Sequence, residues 1–128
     1  MELAIVSSLL LVLIFGIITY AYMMSFRQSM TQAAAEGARA AATPATEAQT
    51  RGQAALNGAL GGFDESCTGG GLTCGIVKAA CAADPSRQCI TVSLDYNYVA
   101  FPLLPALPLL SGILPDSLSA ESVVEIDQ

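Results

Sequence analysis

The sequence predicts an α+β chain: a long N-terminal helix fit to be a membrane anchor or the core of an assembly, a second helix, and a small C-terminal antiparallel β-sheet domain. Three observations carry that expectation. An uncharged apolar run stands at the N-terminus, an alanine-rich stretch without proline continues it, and two runs of alternating apolar and polar residues stand near the C-terminus. The division falls at residue 43, with residues 1–43 forming the hydrophobic helix and residues 44–128 a small α/β domain outside the membrane, expected to carry disulfides.

From Leu3 to Met24 the chain reads LAIVSSLLLVLIFGIITYAYMM, with no charge. At ~1.5 Å rise per residue this helix covers roughly 30 Å, the hydrocarbon thickness of a bilayer. Tyr20 and Tyr22 stand near its end, where aromatic rings favour the interface. A cleaved secretory signal fits poorly, because the apolar run is too long and neither a basic stretch before it nor a small-residue cleavage site after it is present. Leu3, Val6, Leu10, Leu13, Phe15, Gly16 and Ile17 are the positions expected to pack against other helices. Glu2, at the edge of the run, has two readings. Its carboxylate can snorkel and sit at the positive helix N-terminus, or it can pair with the α-amine of a neighbouring copy and so fix axial register, since an unpaired charge in a dry bundle costs several kcal/mol.

The stretch SFRQSMTQAAAEGARAAA, Ser25 to Ala42, prolongs the helix, alanine being the best helix former. Phe26, Met30, Ala33, Ala34, Gly37, Ala38 and Ala41 recur at helical spacing on one side, and Glu36 with Arg39 forms an i,i+3 pair. One continuous helix of roughly 60 Å follows. Its alanine and glycine face permits close approach of a second backbone, supplied by its own domain, by a neighbour, or by both. Thr43-Pro44 punctuates the chain. A second helix is expected over residues 45–60, with Glu47 near its start and Gly61-Gly62 as its stop.

Residues 63–75 read as a glycine-rich, cysteine-bearing loop. Its TGGGLTCG run has no lysine in a P-loop position, so phosphate binding is not supported. Residues 76–82 lean towards a short strand, and Asp84-Pro85-Ser86 signals a turn. The clearest strand is Gln88 to Ala100, with Ile90, Val92, Leu94, Tyr96 and Tyr98 on one face and Thr91, Ser93, Asp95 and Asn97 on the other. A second runs near the C-terminus, where Leu118, Ala120, Ser122, Val124 and Ile126 alternate with Ser119, Glu121, Glu125 and Asp127, Val123 interrupting the polar face. These two are expected to pair antiparallel with their apolar sides on the helices. Between them, FPLLPALPLLSGILPD is apolar but broken by four prolines, which forbid a regular helix or central strand. Phe101, Leu103, Leu104, Leu107, Leu109 and Leu110 are therefore expected to meet something, with neighbouring subunits first, the domain's own core second and the membrane surface third.

Composition narrows the chemistry. The chain of 128 residues has a formal net charge of -6 and five Lys+Arg, which leaves no basic patch for nucleic acid. Histidine is absent, removing the commonest general base and metal ligand. Asp64, Glu65 and Asp95 read as solvated surface charges, and neither an enzyme nor a cofactor is expected. Cys67, Cys74, Cys81 and Cys89 imply two disulfides and an oxidising compartment rather than four thiols, and they lack the close ligand pairs of a structural zinc site. Three pairings are open, and Cys67–Cys74 with Cys81–Cys89 is favoured because both loops are short. Arg27 and Arg39 follow the anchor, which by the positive-inside rule would hold the domain in the cytoplasm. The cysteines argue for the opposite side, and a basic leader upstream of Met1 would reconcile the two.

Met1-Glu2-Leu3-Ala4-Ile5-Val6, the run to Phe15-Gly16-Ile17-Ile18, then Arg27-Gln28 and Ala34-Ala35-Glu36-Gly37-Ala38-Arg39-Ala40 resemble the TadE-like family, pilin-related proteins of tight-adherence (Tad/Flp) systems within the type IV pilin superfamily. The likeness covers about the first third of the chain. It implies a pilin-like lollipop fold and a precursor cut by a prepilin peptidase. It also implies a single-pass inner-membrane intermediate (N-terminus cytoplasmic, C-terminal domain outside), Tad secretion machinery as partner, and homo-oligomerisation into a helical filament at the cell surface. Glu2 would set register. It is second here and fifth in typical mature type IV pilins, a departure that bears on its pairing with an N-terminal amine.

Overall fold

The computed structural model describes residues 2–43, 47–104 and 114–126. Helix α1 runs unbroken from Glu2 to Ala42. No proline interrupts it, and its Gly16 and Gly37 each cost about 1 kcal/mol relative to alanine, too little to break a helix otherwise built of strong formers. Helix α2, Ala48–Leu60, packs back along the second half of α1. Glu47, just before α2, caps no backbone N–H but accepts from the Arg51 guanidinium at 3.3 Å. The expected glycine stop takes another form. Gly61 is right-handed (φ -58°), the helix tightens into a 3-10 turn over Gly61–Phe63, and the left-handed residue that ends it is Asp64 (φ 59°). Small polar side chains such as aspartate tolerate that conformation.

Three antiparallel strands follow, β1 (Leu72–Ala80), β2 (Gln88–Asn97) and β3 (Ser117–Ile126), in the spatial order β1-β2-β3. The pairing of the last two strands is the expected one. Strand β1 starts four residues earlier than residue 76, inside what reads locally as a loop. It can do so because Leu72 stands opposite Tyr96 and Gly75 opposite Ser93. A Cβ on Gly75 would lie 2.5 Å from Ser93 Oγ, so glycine is what lets the ladder close there. Alternation along β2 sends Ile90, Val92, Leu94 and Tyr96 into the core, as their period of two requires.

That core is one cluster, taking Met23, Phe26, Met30, Ala33, Ala34, Ala38 and Ala41 from α1, Leu56 and Leu60 from α2, and the inner residues of the sheet. Residues on both sides of position 43 therefore share a single interior. The helices cross where side chains vanish: a Cβ on Gly52 would meet Ile76 Cδ1 at 2.7 Å, Ala41 Cβ at 3.3 Å and Gly37 O at 3.4 Å. Disulfide Cys67–Cys74 fastens the loop after α2 to β1, and Cys81–Cys89 joins the end of β1 to the start of β2. In the β1–β2 turn, Asp84 Oδ1 accepts the Ser86 hydroxyl (2.7 Å) and backbone N–H (3.0 Å), which hold its carboxyl below the usual carboxylate range.

Candidate assembly surface

Helix α1 has two halves with opposite environments. From Phe26 to Ala41 its small-residue face is sealed against α2 and the sheet, with Phe26, Met30, Ala34 and Ala38 fully buried. Phe26 sits edge-on between two rings, Phe63 at 5.1 Å and Tyr96 at 5.0 Å. Gly37 belongs to the same seal, since a Cβ there would lie 2.9 Å from Leu56. Of the positions read as helix-packing, then, Phe26, Met30, Ala34, Gly37, Ala38 and Ala41 are occupied by the chain's own domain. The Glu36–Arg39 pair lies on the opposite, exposed side at 3.5 Å.

The first half is bare. Leu3, Val6, Leu10, Leu13, Phe15 and Ile17 are all exposed, Leu3 at 83%. Among the described residues α1 is the one helix long and apolar enough to cross a membrane, and its most apolar window has no residue buried within the chain. Its serine and threonine hydroxyls are already satisfied by its own backbone. Ser7 donates to Ala4 O (3.1 Å), Ser8 to Ile5 O (2.8 Å) and Thr19 to Phe15 O (2.8 Å). Such local bonds are what let a polar side chain enter an apolar medium without a stranded donor. Gly16 differs from Gly37 and Gly52: among the described residues, nothing beyond its own helix backbone and chain neighbours lies within 4 Å of a Cβ added there. The described residues supply no reason for its cost in helix propensity.

The two halves meet at Tyr22 and Met23. Tyr22 stacks edge-on against Phe63 at 5.8 Å, and Met23 is buried. Beside Tyr22 opens a cleft of about 400 Å³, lined further by Phe63, Asp64, Glu65, Tyr96, Phe101 and Leu103. Here one sequence expectation is corrected. Asp64 and Asp95 are exposed, but Glu65 is half-buried, its Oε1 facing the Tyr96 hydroxyl at 3.1 Å and its Oε2 sealed without a partner among the described residues. The same hydroxyl lies 2.8 Å from Phe101 O, so one proton serves two acceptors. Gly70 makes room for the carboxylate, since at φ 82° it carries no Cβ, and one would lie 2.6 Å from Oε2. Burial, then the neighbouring Glu65 carboxylate, push the Tyr96 phenol well above its usual range. No local signal marks this cleft in the sequence, because four separate segments build it.

Of the remaining positions singled out, the four cysteines form the two disulfides already described. Phe101, Leu103 and Leu104 start the Pro/Leu segment beside the cleft, with Phe101 exposed and the two leucines half-buried. The Glu2 side chain and Leu107, Leu109 and Leu110 lie outside the described residues.

No curated protein and no solved structure matches the chain. A family model described as TadE-like protein does, over residues 1–39. That match supports the recognition made from the N-terminal residues: over residues 1–39, within the helix whose first half stands bare, the chain is similar to TadE-like proteins.

Proposed function

We propose that the chain is a structural subunit of an extracellular Tad or type IV-like pilus, polymerising through the bare half of α1. The observation that carries this reading is the contrast along one helix. A chain that seals one small-residue face from Phe26 to Ala41 leaves roughly 19 residues before Tyr22 uncovered, ~28 Å of apolar rod. Such a surface is stable only in lipid or against other apolar helices. The TadE-like match over the same residues supports exchange of the first for the second. Before assembly the rod holds the protein in the inner membrane as a single pass, with the disulfide-bearing domain on the oxidising side. Leu3, Val6, Leu10, Leu13 and Ile17 then pack against copies of themselves, Gly16 allows close backbone approach, and Glu2 fixes the axial register. Prepilin peptidase and the Tad machinery act upstream of assembly.

Electron microscopy and immunolabelling of material sheared from the cell surface test the proposal. Filaments containing the protein are the expected result, and sheared filaments without it would reject the role. The second reading is a minor, membrane-retained pseudopilin that primes assembly, an adhesive tip module being a separate alternative. It is favoured by the size of the domain carried on the helix, since the main Tad pilins tend to be much shorter. Fractionation separates the two, for a primer stays with the membranes.

A further inference from the structure

We infer that the start of the β2–β3 connection, Val99 to Leu103, together with Phe63, forms an apolar collar that rests in the headgroup layer of the bilayer while α1 is membrane-inserted. The inference rests on the reading of α1 as a bilayer-spanning rod and extends it to the domain.

Position is the first argument. The cleft beside Tyr22 is lined by Ala100, Phe101, Pro102 and Leu103, so this segment stands at the level where α1 leaves the apolar medium. The bare rod below Tyr22 is ~28 Å long and fills the hydrocarbon thickness of ~30 Å. The end of the domain that carries Phe63 and Phe101 is therefore pressed to the surface by the length of the rod. Chemistry is the second. Val99 is 68% exposed and Phe101 48% exposed, although both are large and apolar. No charged residue occurs in the sequence between Tyr98 and Asp116. Tyr20 and Tyr22 complete an aromatic belt of the kind that favours the interface. Of the carboxylates near the collar, Glu65 is turned inward to Tyr96 and Gly70, while Asp64 and Asp116 are exposed and fit the polar headgroup layer rather than the hydrocarbon. Continuity is the third, since the collar adjoins the bare face of α1 around Tyr22, and a surface that covers the one reaches the other.

The protein contains no tryptophan, so a single introduced indole reports its own surroundings. Val99→Trp and Phe101→Trp, in the full chain reconstituted into phospholipid vesicles, are compared with Leu10→Trp in the rod and Val77→Trp on the outer face of the sheet. Lipids brominated near the headgroup should quench Val99→Trp and Phe101→Trp at least threefold more than Val77→Trp, and acrylamide should show the reverse order. Val99→Trp guards against a packing artefact, because the Phe101 ring lies against Gly71 and a larger ring could displace it. If Leu10→Trp is quenched by bromines near the bilayer centre while both collar reporters behave like Val77→Trp, the collar is overturned and the rod stands. Collar reporters shielded from acrylamide but indifferent to bromine, and only at high protein-to-lipid ratio, would show that a neighbouring copy covers this surface and would equally overturn it. Absence of quenching at Leu10→Trp would instead overturn the spanning rod.

Discussion

Replacing Phe26 by alanine separates the two halves of α1 most sharply, because its cost can be worked from the structure and set against a matched change a few turns away. Phe26 is fully buried and makes edge-on contacts with Phe63 and Tyr96. Truncating a buried phenylalanine costs ~3–5 kcal/mol, with each aromatic pair contributing ~0.5–1.5 kcal/mol of it. A small domain has only ~5–15 kcal/mol in all, so Phe26→Ala should remove roughly a fifth or more of the stability. Leu10→Ala removes comparable apolar surface from a residue that is 54% exposed on the bare half of α1. The assay is urea unfolding in mild detergent followed by tyrosine near-UV circular dichroism. With a slope of ~1–1.5 kcal/mol per M, Phe26→Ala should lower the midpoint by about 2 M or more. Leu10→Ala should leave it within experimental error. A loss below about 1 kcal/mol for Phe26→Ala, or an equal loss for both variants, would refute the division of α1 into a half packed on the domain and a bare half.

Four further outcomes are predicted. Gly16→Leu should raise the intrinsic helix propensity of α1 by about 1 kcal/mol yet reduce incorporation into sheared filaments, because no partner among the described residues needs that space; wild-type incorporation would leave Gly16 without an assembly role. Glu2→Ala should keep membrane insertion and lower incorporation, whereas unchanged filament yield would leave only snorkelling for the carboxylate. Replacing Cys67 and Cys74 together by serine should cost roughly 2–3 kcal/mol, the loop-closure value for a separation of 7, read as a lower urea midpoint. Tyr96 titrates above its usual value of 10 in the folded chain, so the unfolded chain loses this proton first. Stability should fall as pH rises above about 10, and less steeply in Tyr96→Phe, by the linkage of protonation to folding.

Much of this architecture is legible in the sequence, for local reasons. The period of two from Ile90 to Tyr96 and the period of 3.6 from Phe26 to Ala41 each describe one surface, and each surface proved to be the buried one. Three features were hidden. The start of β1 at Leu72 is masked by the glycines around it, which have low strand propensity, and only its pairing with β2 makes it a strand. Helix α2 ends at Leu60 with Gly61 next, as expected, but the 3-10 turn that follows is closed by a left-handed Asp64 that no local signal marks. The burial of Glu65 depends on Tyr96 and Gly70, which no spacing rule connects to it. Sequence pattern also could not say which partner the alanine face takes, because a small-residue helix face suits α2 and a second copy equally well; Gly52 decides it by fitting against Gly37 and Ala41.

The central claim is tested most directly by photo-crosslinking in cells, with a photoreactive amino acid placed once at Leu10 and once at Met30. The bare half should give crosslinks between copies of the protein in sheared filaments, while Met30, sealed in its own domain, should give none between copies. Crosslinks from Met30 to other copies, or a Leu10 that never captures a second copy, would contradict the assignment of assembly to the first half of α1.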